Sequence, residues 1–183
     1  MKHMALRSTV YKAALQVADM DRGYYAEHAL VIARHPSETD ERMMVRLLAF
    51  ALNADEALAF GGGLSTDDEP DLWRKDLTGA VDLWIEVGLP DEKWLRKACA
   101  RARQVMLYAY GRTADAWWRQ NQDKLARLDN LRIFRLAADD TAALARLAER
   151  NMQLQCNVQD GEAWLGNGER DVRLMPEKLH PVS

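Results

Sequence analysis

The chain has 183 residues, 48% of them apolar and 29% charged, and its formal net charge at pH 7 is −3. This composition excludes a disordered chain and predicts a packed core. The length predicts a single domain over residues 1–183 that needs neither disulfides nor structural zinc to fold. The negative net charge excludes a wholly basic nucleic-acid-coating protein, but it is compatible with one local basic face.

The sequence contains no run of about 18 apolar residues that could span a bilayer, and its start lacks the apolar stretch of a secretion signal. We therefore expect a soluble, cytoplasmic protein that does not contact membranes. Met4 is a plausible natural start, so residues 1–3 are expected to be an expression remnant. Cys99 and Cys156 have no metal-ligand spacing, and we expect reduced core thiols rather than a disulfide.

The first elements in chain order form a β-hairpin and a helix. β-Branched and aromatic residues recur over 9–17 and 24–33, and residues 19–23 between them have the composition of a turn. This pattern predicts an opening hairpin. The following segment predicts a helix with Ser37 as its N-cap and Asp40 as the partner of Ser37 in a capping box.

A second hairpin is predicted from residues 71–75 and 81–87, which flank a turn at Thr78-Gly79. Residues 81–87 alternate between apolar and polar side chains, which is typical of a strand with two different faces. Apolar residues at helical spacing then predict one long helix over 91–110.

The last third of the chain continues this alternation of helices and strands. Asp160-Gly161 is a strong hairpin turn signal. The remaining predicted elements are a helix over 114–128, a strand over 131–136, a helix over 141–150 and a strand over 152–158. Together the elements predict a mixed α/β fold, in which helices flank a central mixed β-sheet and extra hairpins lie at both ends.

The second hairpin carries the most informative acidic residues. A turn at Thr78-Gly79 places Asp71 opposite Glu86 and Lys75 opposite Asp82. Opposed side chains have Cβ atoms about 4.5–5.5 Å apart, so Asp71 and Glu86 could share one Mg²⁺ or Mn²⁺ ion. Without a cation, the two like charges require a raised pKa or splayed side chains. The alternative is an acidic rim in which Asp82 pairs with Lys75.

Basic residues follow this hairpin. Lys93, Lys97 and Arg101 recur at helical spacing, and Arg96 lies between them. Such a face beside a carboxylate pair could contact the phosphates of a nucleic acid, or it could be an ordinary solvated helix surface.

Three further side chains are candidates for the same site. His35 could act as an acid, a base or a phosphate ligand, or it could fix the loop by hydrogen bonds. Trp84 could stack on a base or pack in the core. Glu41 could add a third acid from the first predicted helix, or it could be a first-turn residue favoured by the helix dipole.

Several segments of the sequence resemble the YaeQ family of bacterial proteins, over essentially the whole chain from Met4. They are Arg34-His35-Pro36-Ser37-Glu38-Thr39, Glu41-Arg42-Met43-Met44, Asp67-Asp68-Glu69-Pro70, Asp82-Leu83-Trp84-Ile85-Glu86-Val87-Gly88-Leu89-Pro90-Asp91-Glu92, Lys97-Ala98-Cys99 and Trp117-Trp118. The resemblance implies a variant of the PD-(D/E)XK restriction-endonuclease-like fold, with a metal-dependent phosphodiesterase ancestry.

The resemblance also implies roles for individual residues. Pro70-Asp71 matches the first motif pair and Glu86 matches the second acid, but Gly88 stands at the position of the motif lysine. Lys93 or Lys97 could replace that lysine. Two functions follow as alternatives: Mg²⁺-dependent phosphodiester hydrolysis on nucleic acid, or a catalytically disabled regulatory module that binds nucleic acid or a protein. An interaction protein whose acidic pocket has no ligand is a third.

Overall fold

A computed structural model describes residues 7–65 and 68–181 of the chain. The expected expression remnant at residues 1–3 and Asp67 of the acidic loop lie outside the described residues. The described part contains the helices α1 (Asp40–Leu52), α2 (Glu92–Arg101), α3 (Ala114–Leu125) and α4 (Ala138–Ala145). Its strands are β1 (Thr9–Asp19), β2 (Tyr24–Arg34), β3 (Leu58–Phe60), β4 (Leu72–Lys75), β5 (Val81–Val87), β6 (Ala102–Ala109), β7 (Leu131–Arg135), β8 (Asn151–Gln159), β9 (Glu162–Gly166), β10 (Asp171–Leu174) and β11 (Glu177–His180).

The strands form two mixed sheets. A five-stranded sheet has the order β10-β9-β8-β1-β2, and a six-stranded sheet has the order β11-β7-β6-β5-β4-β3. β1 pairs in parallel with β8, and β5, β6 and β7 are parallel neighbours, whereas the other pairs are antiparallel. The predicted mixed α/β class is confirmed, with the strands divided between two sheets rather than gathered in a single one.

Helix α1 lies at the centre of the main core. Every residue from Met43 to Ala51 is buried, and the helix contacts β1 of the first sheet and β5 of the second. A helix that is buried on all sides does not need a polar face, which explains its almost continuous apolar sequence. A second core covers the other face of the six-stranded sheet, where α2 and α3 place Leu95 and Leu125 against it.

The opening hairpin is confirmed, since β1 and β2 pair from Thr9 opposite Arg34 to Asp19 opposite Tyr24. The predicted start of α1 was two residues too early. Thr39 is the N-cap, and its hydroxyl accepts a hydrogen bond from the backbone N–H of Arg42 at 3.1 Å. The hydroxyl of Ser37 instead bonds the ring of His35.

The predicted long helix over 91–110 was wrong in its second half. Helix α2 ends at Arg101, and β6 follows at once between β5 and β7. A central parallel strand is buried on both faces, so its residues do not alternate in polarity. The apolar run from Val105 to Ala109 therefore fits helical and strand spacing equally well, and no glycine or proline marks the boundary.

The rest of the chain follows the predicted order. Helix α4 begins at Ala138, earlier than expected, and no side chain caps it. Asp160 and Gly161 both have positive φ, at 53° and 75°, and they form the predicted turn between β8 and β9. Strands β10 and β11 were not predicted separately, and they complete one sheet each. None of the described helices is long and apolar enough to cross a membrane.

Both cysteines are free thiols, as expected. Cys156 is buried on β8 of the first sheet, and Cys99 is half-buried on α2. Burial raises the pKa of Cys99 to about 11 and that of Cys156 to about 12. Both therefore remain protonated at neutral pH and act as small apolar core residues.

Candidate functional site

The register of the second hairpin brings the two predicted acids together. Leu72 pairs with Ile85, so the preceding and following positions place Asp71 opposite Glu86. The side chain of Asp71 also accepts a hydrogen bond at 2.9 Å from the backbone N–H of Val87, the neighbour of Glu86. The geometry thus agrees with the predicted opposition of Asp71 and Glu86.

The other predicted pair in this hairpin was wrong. A bulge after Arg74 shifts the register, so that Lys75 lies opposite Val81 instead of Asp82. Asp82 forms its ion pair with Arg103, at 2.8 Å, on the neighbouring strand β6. Asp82 does not line the cleft that contains Asp71 and Glu86.

Asp71 and Glu86 lie at the floor of a cleft of about 630 Å³. Asp71 is fully buried and Glu86 is 7% exposed. The cleft opens at the carboxyl ends of the parallel strands β5 and β6, where ligands commonly bind in mixed α/β sheets. It is lined by Arg42, Gly63, Leu64, Glu69, Asp71, Glu86, Val87, Gly88, Leu89, Pro90, Trp94 and Tyr110.

Two indole groups hold the carboxyl group of Glu86. Its Oε1 accepts hydrogen bonds from Nε1 of Trp84 at 2.8 Å and from Nε1 of Trp94 at 2.7 Å. Neither indole engages Oε2, which leaves this oxygen for Asp71 or for a ligand. Burial, the charge of Asp71 and a hydrogen bond with Asp71 raise the pKa of Glu86 to about 8, against the opposing effect of the two indoles.

Without a cation, the raised pKa of Glu86 relieves the repulsion between the two acids, because Glu86 is then largely protonated at neutral pH. A protonated carboxyl group can donate a hydrogen bond to an ionised one, so the two acids share a proton where a cation would otherwise be needed.

Asp71 is neutralised by an arginine from α1. Nη2 of Arg42 lies 2.8 Å from Oδ1 and 3.0 Å from Oδ2 of Asp71. The other terminal nitrogen of Arg42 donates to Glu38 at 2.7 Å, and Arg46 also donates to Glu38, at 2.5 Å. Arg42 and Arg46 thus balance the charges of the Asp71 and Glu38 carboxylates, and a protonated Glu86 leaves this balance unchanged.

The loop beside Asp71 requires glycine at residue 63. Gly63 has φ of +52°, and a Cβ at this residue would lie 2.9 Å from Oδ1 of Asp71. Both the backbone conformation and the close approach therefore exclude a side chain. Glu69 stabilises the same loop, since its Oε2 accepts a hydrogen bond from the backbone N–H of Gly62.

The predicted basic residues do not line the cleft. Lys97 and Arg101 both contact Asp68, at 3.1 and 3.6 Å, and so lie on one face of α2 as predicted. Arg96 pairs with Glu92 at 2.6 Å and reaches the backbone of α3. Lys93 is exposed at the start of α2. Among the described residues, no lysine lines the cleft.

The other three candidates, Trp84, His35 and Glu41, do not line the cleft. Trp84 is 2% exposed, so its ring packs in the core and is not accessible to a base. His35 bonds the hydroxyl of Ser37 at 2.7 Å and fixes the helix-entry loop. Glu41 lies near Thr141 of α4, with 3.5 Å between side-chain oxygens, and does not line the cleft.

The lining residues that the sequence analysis gave no role include Arg42, Trp94 and Tyr110. Burial raises the pKa of Tyr110 to about 12, so it presents a neutral hydroxyl. A sequence signal exists for Arg42, because Glu38, Arg42 and Arg46 recur every four residues. Trp94 and Tyr110 carry no such signal, since only the fold brings them to the cleft.

The donor atoms around the acid pair suit a hard divalent cation. The protein offers carboxylate oxygens from Asp71 and Glu86, and a Mg²⁺ ion takes only one or two carboxylates when substrate and water complete its shell. No cluster of three or more potential metal ligands occurs within residues 7–65 and 68–181. The residues therefore fit an open site for one cation and do not form a closed cage.

Comparison with known proteins places the whole chain beside one family. A family model described as "YaeQ protein" matches residues 4–176. A relative named "Uncharacterized protein YaeQ" from Salmonella typhi is 48% identical, over 93% of this chain and 95% of its own length. The crystal structure of YaeQ protein from Xanthomonas axonopodis pv. citri has a TM-score of 0.91 at 51% identity, covering 94% of this chain and 98% of that one. The crystal structure of YaeQ protein from Pseudomonas syringae has a TM-score of 0.92 at 38% identity, covering 96% and 97%.

Proposed function

The chain belongs to the YaeQ family, and we propose that its cleft is a variant PD-(D/E)XK site that hydrolyses phosphodiester bonds of nucleic acid with Mg²⁺ or Mn²⁺. One observation carries the proposal: Asp71 and Glu86 lie in one cleft, close enough that the charge of Asp71 raises the pKa of Glu86. Strongly perturbed acids in a cleft are typical of catalytic sites.

In this proposal Asp71 and Glu86 hold the cation, and Glu86 offers Oε2 because both indoles bind Oε1. When bound, the ion activates water and neutralises charge on the phosphate. Trp84 and Trp94 fix the position of the Glu86 carboxyl group. The apolar residues Leu89 and Pro90 at the mouth of the cleft help to exclude bulk water.

The motif lysine has no direct replacement in the cleft. Gly88 occupies its position, and neither Lys93 nor Lys97 lines the cleft. Arg42 is the only basic side chain among the described residues that does. Lys97 and Arg101 instead bracket Asp68 outside it, where they could contact phosphates that flank the cleaved bond.

The second candidate function is a catalytically disabled module that binds nucleic acid or a protein partner. The observation in its favour is that Arg42 already neutralises Asp71 while no lysine lines the described part of the cleft. Either function is proposed for the cytoplasm, where two free thiols such as Cys99 and Cys156 stay reduced.

The test combines metal binding with a nuclease assay. Mn²⁺ and Mg²⁺ binding is measured by calorimetry, and cleavage is followed on end-labelled single- and double-stranded DNA and RNA. We expect Asp71→Asn and Glu86→Gln to lose both activities. Asp82→Asn is the matched control, because this acid of the same hairpin lies outside the cleft and should change neither.

The outcomes separate the two candidates. Cleavage that persists in both Asp71→Asn and Glu86→Gln would exclude the proposed site and point to a contaminating nuclease. Absence of cleavage and of metal binding, together with nucleic-acid binding that is independent of Mg²⁺, would favour the disabled module instead.

A further inference from the structure

Arg42 is the basic side chain that contacts the acid pair in the described part of the cleft. Its side chain is 16% exposed, and one nitrogen, Nη2, contacts both oxygens of the fully buried Asp71 carboxylate. A guanidinium in this position supplies the positive charge that two adjacent acids require.

The carboxylate of Asp71 has little capacity left for another ligand. Its Oδ2 already accepts hydrogen bonds from the backbone N–H of Val87 and from Arg42. Its Oδ1 accepts from Arg42 and is crowded on another side by Gly63, where even a Cβ would lie at 2.9 Å. A divalent cation that approaches Asp71 would therefore meet the guanidinium first, and the two positive charges repel.

Arg42 has a second anchor and room to move. Its Nη1 donates to Glu38, whose own side chain is 1% exposed and is fixed by Arg46. A small cavity of about 150 Å³ adjoins the cleft, and Glu38, Arg42 and Arg46 all line it. This cavity offers space beside Glu38 into which the guanidinium could move away from Asp71.

We propose that Arg42 is the resident counter-cation of the acid pair and controls the entry of divalent cations, which bind Asp71 only when the guanidinium leaves it. This inference rests on the proposed function, since it concerns the same cation site. It assigns Arg42 a regulatory role that neither motif acid has. In the absence of metal the guanidinium neutralises the charge of Asp71, so Mg²⁺ or Mn²⁺ must compete with Arg42 for this carboxylate.

The experiment measures Mn²⁺ affinity of the full chain by calorimetry, with free Mn²⁺ followed by electron paramagnetic resonance. Arg42→Gln removes the competing charge and should bind Mn²⁺ at least about ten times more tightly than the wild type. Arg42→Lys keeps the charge and should stay within about threefold of the wild type. Arg119→Gln removes an exposed arginine on α3 and should leave the affinity unchanged.

A second measurement does not depend on how Arg42→Gln folds. In the wild type labelled with ¹⁵N-arginine, Mg²⁺ should shift the guanidinium resonances of Arg42 and leave those of Arg119 in place. Mg²⁺ binding without a shift at Arg42 would overturn the inference.

The outcomes also separate this inference from the proposed function. If the wild type binds Mn²⁺ and Arg42→Gln binds it equally or more weakly, the inference is wrong and the proposed cation site stands. If only Arg42→Gln binds Mn²⁺, the inference stands and the free wild-type protein is not a metal-dependent hydrolase. If neither binds, both are overturned.

Discussion

The replacement Glu86→Gln gives the sharpest test of the electrostatics in the cleft. Glutamine has the shape of a protonated glutamate, so its carbonyl oxygen can accept from Trp84 and Trp94 while its amide donates to Asp71. It differs from glutamate in one respect, because it cannot ionise. The variant therefore isolates the free energy of unfolding that the wild type loses because Glu86 ionises in the unfolded chain while it stays protonated in the folded chain.

The magnitude follows from the pKa. Glu86 has a pKa of about 8 in the folded protein, against an ordinary value of 4.5 for a glutamate side chain. A tenfold change in proton affinity is worth about 1.4 kcal/mol, so the native state loses about 5 kcal/mol between pH 4.5 and pH 8. The sign follows from proton counts: the folded chain holds more protons than the unfolded chain in this window, so the free energy of unfolding falls as pH rises.

The assay is urea unfolding of the wild type and of Glu86→Gln at half-unit steps from pH 5 to pH 9, with EDTA present. We expect equal free energies of unfolding near pH 5 and an advantage of several kcal/mol for Glu86→Gln near pH 8.5. Glu169→Gln, at an exposed turn, serves as the control and should follow the wild type throughout. Parallel curves for Glu86→Gln and the wild type would refute the charge balance that we derive from the arginine and carboxylate network.

Three further predictions concern the neighbours of Glu86 and use the same unfolding assay. Trp94→Phe removes one hydrogen-bond donor that lowers the pKa of Glu86, so the pH-dependent loss of stability should extend to higher pH; an unchanged pH profile would contradict this role of the indole. Glu38→Gln leaves two buried arginines without their shared carboxylate and should cost about 3–5 kcal/mol, and a loss below 1 kcal/mol would show that the network is dispensable. Gly63→Ala should cost about 1–3 kcal/mol more than Gly79→Ala, because both have positive φ but only the Cβ at residue 63 meets Asp71; equal losses would rule out the contact.

The acid pair was predictable because a hairpin is a local structure. The turn at Thr78-Gly79 and the alternation over residues 81–87 set the register near Asp71 and Glu86 without reference to the rest of the chain. The same reasoning failed at Lys75, only a few residues away, because a bulge leaves no mark in the pattern of apolar residues.

The surroundings of the acid pair were not predictable in the same way. Arg42 lies on helix α1, 29 residues before Asp71 in the sequence. The contact between them therefore depends on how α1 packs between the two sheets. For the basic residues of α2, helical spacing correctly identified the face that Lys97 and Arg101 share. It did not identify the pairing of both residues with Asp68. Periodicity specifies faces of elements, and it carries no information on which partner a face meets.

The parallel pairing of β1 with β8 has a consequence for how the protein is made. Lys12 lies opposite Asn151, so the partner of the first strand leaves the ribosome about 140 residues later. At about 5–20 residues per second, the backbone groups on the β8 side of β1 stay unpaired for roughly 7–30 s. During synthesis this strand edge is therefore open to pairing with other chains, and truncation before β8 should yield chains that aggregate rather than fold.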